Sequence, residues 1–126
     1  MISKNDIESS KEILQKAYAY FNARNIDAIL ALMKPDVVWP NGMSGGYVYG
    51  HDRVQEYWTR QWSVINPHVE PVGFETDENG NVVVNVHQVV HDLNGNLLLD
   101  QIVHHVYTIE DGLIKRMEIE TKQTAL

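Results

Sequence analysis

Proton-moving groups are plentiful in this chain and thiols are absent: it has six histidines, seventeen carboxylate residues and no cysteine. Thiol nucleophiles, disulfides, zinc fingers and iron–sulfur clusters are excluded together. The catalytic candidates are His104, His87 and Asp100. An unperturbed imidazole titrates near about 6.5, so His104 suits a general base at neutral pH. Its plainer role is to hydrogen-bond Asn85 and nothing more. His87 with Asp100 can form an oriented dyad, the carboxylate fixing the imidazole tautomer. The plainer alternative leaves Asp100 solvated near a strand end.

Other groups are weaker candidates. His87 and His91 have HxxxH spacing, which gathers two imidazoles on a helix but spreads them roughly 13 Å apart on a strand. His104 and His105 are neighbours and point to opposite faces of a strand. No metal site is expected. Asn41 can orient a substrate oxygen or cap a turn beside Gly42. Tyr18, Trp39 and Trp58 can line a pocket for a flat, apolar, oxygenated ligand. Tyr57 and Trp62 can line it too, but core is the favoured reading for these two, because aromatic stripes at helical spacing usually are core.

The elements that must position these residues run helices first, strands after. Residues 6–24 form an amphipathic pattern, with Ile7, Leu14, Ala17, Tyr18 and Phe21 on one face and a capping start at Ser3 and Asp6. A shorter helix follows, capped by Asn25, striped by Ile29, Leu32 and Met33, and ended by Pro35. Asp36–Trp39 is a short extended run. Residues 40–50 are a loop holding four of the eight glycines, and glycine hinges would suit a lid. A third helix spans about 51–62. Strands are predicted at 69–76, 81–92, 97–109 and 113–121, separated by Glu78-Asn79-Gly80, Asn94-Gly95 and Asp111-Gly112. The fold class is α+β, with a largely antiparallel sheet covered on one face by the helices.

Two-residue turns fix a register. With Asn94-Gly95 as the turn, Asn85 opposes His104, His87 opposes Ile102 and Val89 opposes Asp100. With Asp111-Gly112 as the next turn, His104 opposes Ile119 and Val106 opposes Met117. That face, carrying Asn85, His87, His104, Met117 and Ile119, is expected to pack under the helices as a polar-floored pocket. The other face, with Val84, Val86, His105, Tyr107, Arg116 and Glu118, is expected outside as a homodimer interface, with His105 paired to Glu118. A bulge in any strand would flip part of this assignment.

Composition bounds the rest. At 126 residues, 44% hydrophobic and 21% charged, the chain suits one folded domain spanning 1–126. Its net charge of −7 argues against nucleic acid and anionic membranes as partners. The charge divides unevenly, +1 over residues 1–35 and −8 beyond. The polar N-terminus and the lack of any long apolar run make a cytoplasmic protein the expectation.

The stretches Tyr20-Phe21-Asn22-Ala23-Arg24-Asn25-Ile26-Asp27, Asp36-Val37-Val38-Trp39, Gly50-His51-Asp52-Arg53-Val54-Gln55-Glu56-Tyr57-Trp58 and Asp111-Gly112-Leu113-Ile114 resemble the nuclear transport factor 2-like superfamily. Within it the chain is most similar to the SnoaL-like polyketide cyclase and ketosteroid isomerase-like branch. The resemblance implies a curved antiparallel sheet wrapped around three N-terminal helices, with an internal cone-shaped cavity, and commonly a dimer. It implies no cofactor. The isomerases' catalytic aspartate falls on Asn41, their oxyanion tyrosine near Ala17 with Tyr18 adjacent, and their protonated aspartate on His104. The Arg and two Asp of the epoxide hydrolase branch are not matched. Cyclase and dehydratase members use histidine with aspartate, which is closer to this chain.

Three functions fit. The first is a cofactor-free acid–base enzyme of isomerase, dehydratase or cyclase type on a hydrophobic oxygenated substrate. The second is a ligand-binding module without turnover, favoured by the amide at Asn41. The third is a dimeric protein-interaction module.

Overall fold

A computed structural model describes residues 4–120, with side chains from Ile7 onward. Ser3 and the Asp6 side chain of the expected cap, and the last residue of the fourth predicted strand, lie outside what is described. Helix α1 (Lys4–Asn22) is followed by α2 (Ile26–Leu30), β1 (Met33–Pro40), β2 (Tyr47–Tyr49), α3 (Gly50–Trp62), β3 (Ile65–Thr76), β4 (Val82–Asp92), β5 (Leu97–Glu110) and β6 (Leu113–Glu120). The strands form one six-stranded sheet in the order β2-β1-β6-β5-β4-β3. The fold is the expected α+β arrangement of N-terminal helices against a curved open sheet. Among the described residues, β1 with β6 is the one parallel pair.

The helices bury the predicted stripes. Leu14, Ala17 and Tyr18 of α1 and Val54, Tyr57 and Trp58 of α3 are all buried. The Asn25 side chain caps α2 by accepting from Ala28 N. Asn22 then fastens α1 to β3: its Nδ2 donates to Val69 O at 2.8 Å and its Oδ1 accepts from Val69 N at 3.0 Å. The second helix ends sooner than Pro35, and Met33 and Pro35 belong to β1. Pro35 is tolerated because β2 pairs only with Val38–Pro40, so no neighbour on that side needs its missing N–H. Strand β3 begins at Ile65 rather than 69. It is an edge strand, which accommodates Pro67 and Pro71.

The register explains which face is inside. Between β4 and β5 the expected pairs form: Asn85 with His104, His87 with Ile102, Val89 with Asp100. The loop is longer than expected, since Asp92 N donates to Asn96 O. A shift between Val90 and His91 absorbs the extra residue. Between β5 and β6 the Asp111-Gly112 turn forms as expected, both residues at positive φ. Pairing then slips by one between Thr108 and Ile109. Met117 therefore faces Tyr107, and Ile119 faces His105.

That single bulge corrects the face assignment. A one-residue slip turns every later side chain to the other face. Met117 and Ile119 join Val84, Val86, Val103, His105 and Tyr107 on the side toward the helices, where all but Ile119 are buried. Asn85, His87, Asp100 and His104 lie on the convex, outer side, so they do not floor a pocket under the helices. The expected His105–Glu118 pair does not form. Glu118 instead accepts from Tyr47 Oη at 2.9 Å and Arg116 Nη2 at 3.0 Å. Among the described residues, no helix is long and apolar enough to cross a membrane.

Candidate functional site

A pocket of about 470 Å³ opens between α1, α3 and the concave sheet face, a size that suits a small organic molecule. Its walls are aromatic. Trp39 and Trp58 meet edge to face with centroids 5.3 Å apart, Phe21 stands edge-on to Trp58 at 5.7 Å, and Trp39 lies 6.3 Å from Tyr107. Met43, Leu98, Leu99 and Ile119 line the pocket while remaining substantially exposed, which places them at its open side. Among the described residues, no carboxylate, lysine or arginine lines it.

One end is polar. Tyr107 Oη donates to Tyr18 Oη at 2.9 Å. Tyr18, left with one proton, donates onward to Nδ1 of His105 at 2.8 Å. This order of donors assigns the neutral Nε2–H tautomer to His105. Burial, with the neighbouring His104 charge, pushes the His105 pKa down to about 4. Burial holds the Tyr18 hydroxyl well above its ordinary pKa, reinforced by Tyr107, and burial likewise raises Tyr107. All three groups are uncharged at neutral pH. The chain ends at His105 Nε2–H, for which the described residues supply no hydrogen-bond partner. Such a group can donate to an oxygen that gains negative charge. It is a weak base at pH 7.

The sequence positions local pieces of this site plainly. Tyr18 belongs to the α1 apolar stripe, and His105 and Tyr107 alternate with Val103 along β5. The His105 and Tyr107 signal was the valine-rich face of the β4–β5 hairpin. The charged alternation of β6 points the other way. The contacting pair, Tyr18 with His105, sits one residue beyond both positions that the resemblance marked, Ala17 and His104.

Trp39, Trp58 and Met117 line the pocket, as does Ile119. His87 Nε2 lies 2.7 Å from Asp100 Oδ1, so the expected pair forms, but on the exposed convex face. His104 is half-buried there, opposite Asn85 and Glu120. Asn41 uses its side-chain oxygen to accept from the Met43 and Ser44 backbone N–H groups at 3.0 and 2.9 Å, which makes it the turn cap. No cluster of three or more His, Cys, Asp or Glu suited to a metal ion occurs among the described residues.

A second polar group stands at the pocket at Tyr57, for which the sequence favours core over pocket wall. Tyr57 Oη accepts from Gly42 N at 3.0 Å and from Gln61 Nε2 at 3.2 Å. Gln61 Oε1 is buried with no partner among the described residues. Trp62 Nε1 is also buried without a partner among the described residues, and nothing in the structure explains it.

The SnoaL-like domain family matches residues 14–117. No curated protein matches the chain. Among solved structures, TerC co-crystallized with polyporic acid is 30% identical, with a TM-score of 0.78 over 90% of this chain and 92% of that one. A nuclear transport factor 2-like protein of unknown function from Burkholderia pseudomallei is 26% identical, with a TM-score of 0.78 over 90% and 91%. The epoxide hydrolase/cyclase-like enzyme SalBIII, from pyran ring formation in salinomycin, shares the fold at 19% identity, with a TM-score of 0.76 over 90% and 91%.

Proposed function

The chain belongs to the SnoaL-like domain family, and from that premise we propose that its pocket binds a flat, apolar, oxygenated small molecule. At the polar end, His105 Nε2–H would donate to a ligand oxygen. The carrying observation is the Tyr107–Tyr18–His105 donor chain, which ends unpartnered among the described residues inside an aromatic pocket. Neutral donors in a dry site stabilise an enolate-like oxygen without needing to reorganise. This supports cofactor-free isomerase or cyclase chemistry, with His105 and Tyr18 as the residues that touch substrate. Non-catalytic binding is the second reading, favoured by a pocket lining without a carboxylate among the described residues.

Polyporic acid is the first ligand to try, because the similar TerC was crystallized with it. Calorimetric titration should show saturable binding that His105→Phe weakens at least about tenfold, the scale of one well-placed hydrogen bond. Binding unaffected by His105→Phe would remove the proposal. Burst or steady-state turnover of a bound candidate would then separate enzyme from binding module.

A homodimer through the outer, convex sheet face remains part of this reading. Ile102 is 55% exposed there beside the His87–Asp100 pair. Sedimentation equilibrium of wild type and Ile102→Glu tests it, and a wild-type monomer at tens of micromolar would dismiss it.

A further inference from the structure

With no cysteine in the chain, its sulfur chemistry rests on four methionines. Three of them lie among the described residues, and their surroundings differ sharply. Met33 and Met117 are each 2% exposed, whereas Met43 is 44% exposed. Met43 also lines the pocket, at its open side next to Gly42 and Pro40. Its backbone is pinned there. Met43 N donates to Asn41 Oδ1 at 3.0 Å, Gly42 N donates to Tyr57 Oη at 3.0 Å, and Asn41 N donates to Gly46 O at 2.9 Å. The Met43 thioether therefore meets water on one side and the aromatic pocket on the other. A thioether is oxidised where an oxidant can reach it, and the product is polar where the thioether was apolar.

We propose that Met43 is a site of reversible oxidation that lowers the pocket's affinity for apolar ligands. The oxidant is hydrogen peroxide. It transfers one oxygen atom to Met43 Sδ: the O–O bond breaks, an S–O bond forms, the sulfur loses two electrons, and the peroxide leaves as water. The sulfoxide oxygen is a strong hydrogen-bond acceptor set in an apolar wall. It must either stay against the ligand and give up its water, or turn outward and take the side chain off the wall. Both weaken binding. A methionine sulfoxide reductase restores the thioether. Met117 lines the same pocket but is closed to solvent, so burial protects it from this reaction. The inference rests on the pocket reading above and adds its regulation.

The test treats the full chain with hydrogen peroxide, removes the peroxide, and maps the oxidised peptides by mass spectrometry. The same sample is then titrated calorimetrically with 2-naphthol, a flat apolar probe with one hydroxyl. Met43 should convert at least about tenfold faster than Met33 and Met117. Affinity should fall at least about threefold against the untreated sample. An unchanged melting temperature separates an altered pocket wall from an unfolded chain. A methionine sulfoxide reductase should return the affinity to its untreated value. Met43→Leu, compared with its own untreated sample, should bind 2-naphthol equally before and after peroxide. Three results overturn the inference and leave the pocket reading intact: Met33 or Met117 converting as fast as Met43, equal affinity before and after Met43 converts, or a loss that Met43→Leu shares. An untreated wild type that binds no 2-naphthol overturns the pocket reading, and the inference with it.

Discussion

The Tyr18 hydroxyl lies 2.8 Å from His105 Nδ1 across 87 residues of sequence, and it receives the Tyr107 hydroxyl at 2.9 Å. Tyr18 is thus the central member of a three-group chain, with one partner on each side. Both partners come from β5, so the chain fastens α1 to the sheet beneath it. The Tyr18 ring also stacks on His105 at 5.9 Å and meets Tyr107 edge-on at 6.2 Å.

Removing the central hydroxyl should cost more than removing the outer one. Tyr18→Phe leaves a buried donor on Tyr107 and a buried acceptor on His105, each costing roughly 1–3 kcal/mol when unpaired. Tyr107→Phe leaves Tyr18 still donating to His105 and should cost about 1 kcal/mol. Urea midpoints of the two variants measure the order. A Tyr107→Phe loss equal to or larger than that of Tyr18→Phe would contradict the assigned direction of the chain.

The same site should make stability depend on pH. His105 has a folded pKa of about 4 against an ordinary value of 6.5. Between these values the unfolded chain binds a proton that the folded chain refuses. Stability therefore falls as pH drops from about 6.5 to about 4, by at most about 3 kcal/mol, and is unaffected by this group above that window. Comparing urea unfolding of wild type and His105→Phe across pH 4 to 7 isolates the contribution. Parallel pH profiles would show that His105 is not held neutral.

The helices, the hairpin turns and the β4–β5 register were legible because each rests on a strong local signal: a period of 3.6, an Asn-Gly or Asp-Gly pair, or valine alternation. The hairpin register held although its loop is one residue longer than read, because the shift at Val90 and His91 restores the count. The inside face of β6 was not legible. The slip between Thr108 and Ile109 leaves no mark in composition, and Arg116, Glu118 and Glu120 alternate identically in either register. Without that slip, the pattern puts His104 inward and His105 outward, the reverse of the observed faces. Asn41 illustrates a different limit. Its type and place suited substrate contact, but an Asn-Gly step also builds its own turn, and here it does.

Gly50 should resist substitution. It opens α3 at φ +84°, and a Cβ there would lie 3.4 Å from the Pro35 carbonyl oxygen. The left-handed region costs a residue with a Cβ about 1–2 kcal/mol. Gly50→Ala should lower the melting temperature by that equivalent, whereas Gly45→Asn should be milder, because nothing lies within 4 Å of a Cβ at Gly45 and asparagine tolerates positive φ. Equal losses in the two variants would show that the Pro35 approach is unimportant.

The neighbouring histidines give the sharpest check on the register, because a one-residue error exchanges their environments. His105→Ala removes the acceptor of the Tyr18 hydroxyl and the Nε2–H that faces the ligand. Binding of 2-naphthol should weaken about tenfold or more, and stability should fall by about 1–3 kcal/mol. His104→Ala acts on the half-buried convex face and should cost no more than about 1 kcal/mol, with binding unchanged. It should also let the His105 pKa rise, because the His104 charge is the second cause of its depression after burial. Imidazole resonances followed by NMR from pH 3 to 8 would show that upward move in His104→Ala. Binding lost in His104→Ala and kept in His105→Ala would mean that β5 presents its other face to the helices, and the donor chain built on Tyr18 would go with it.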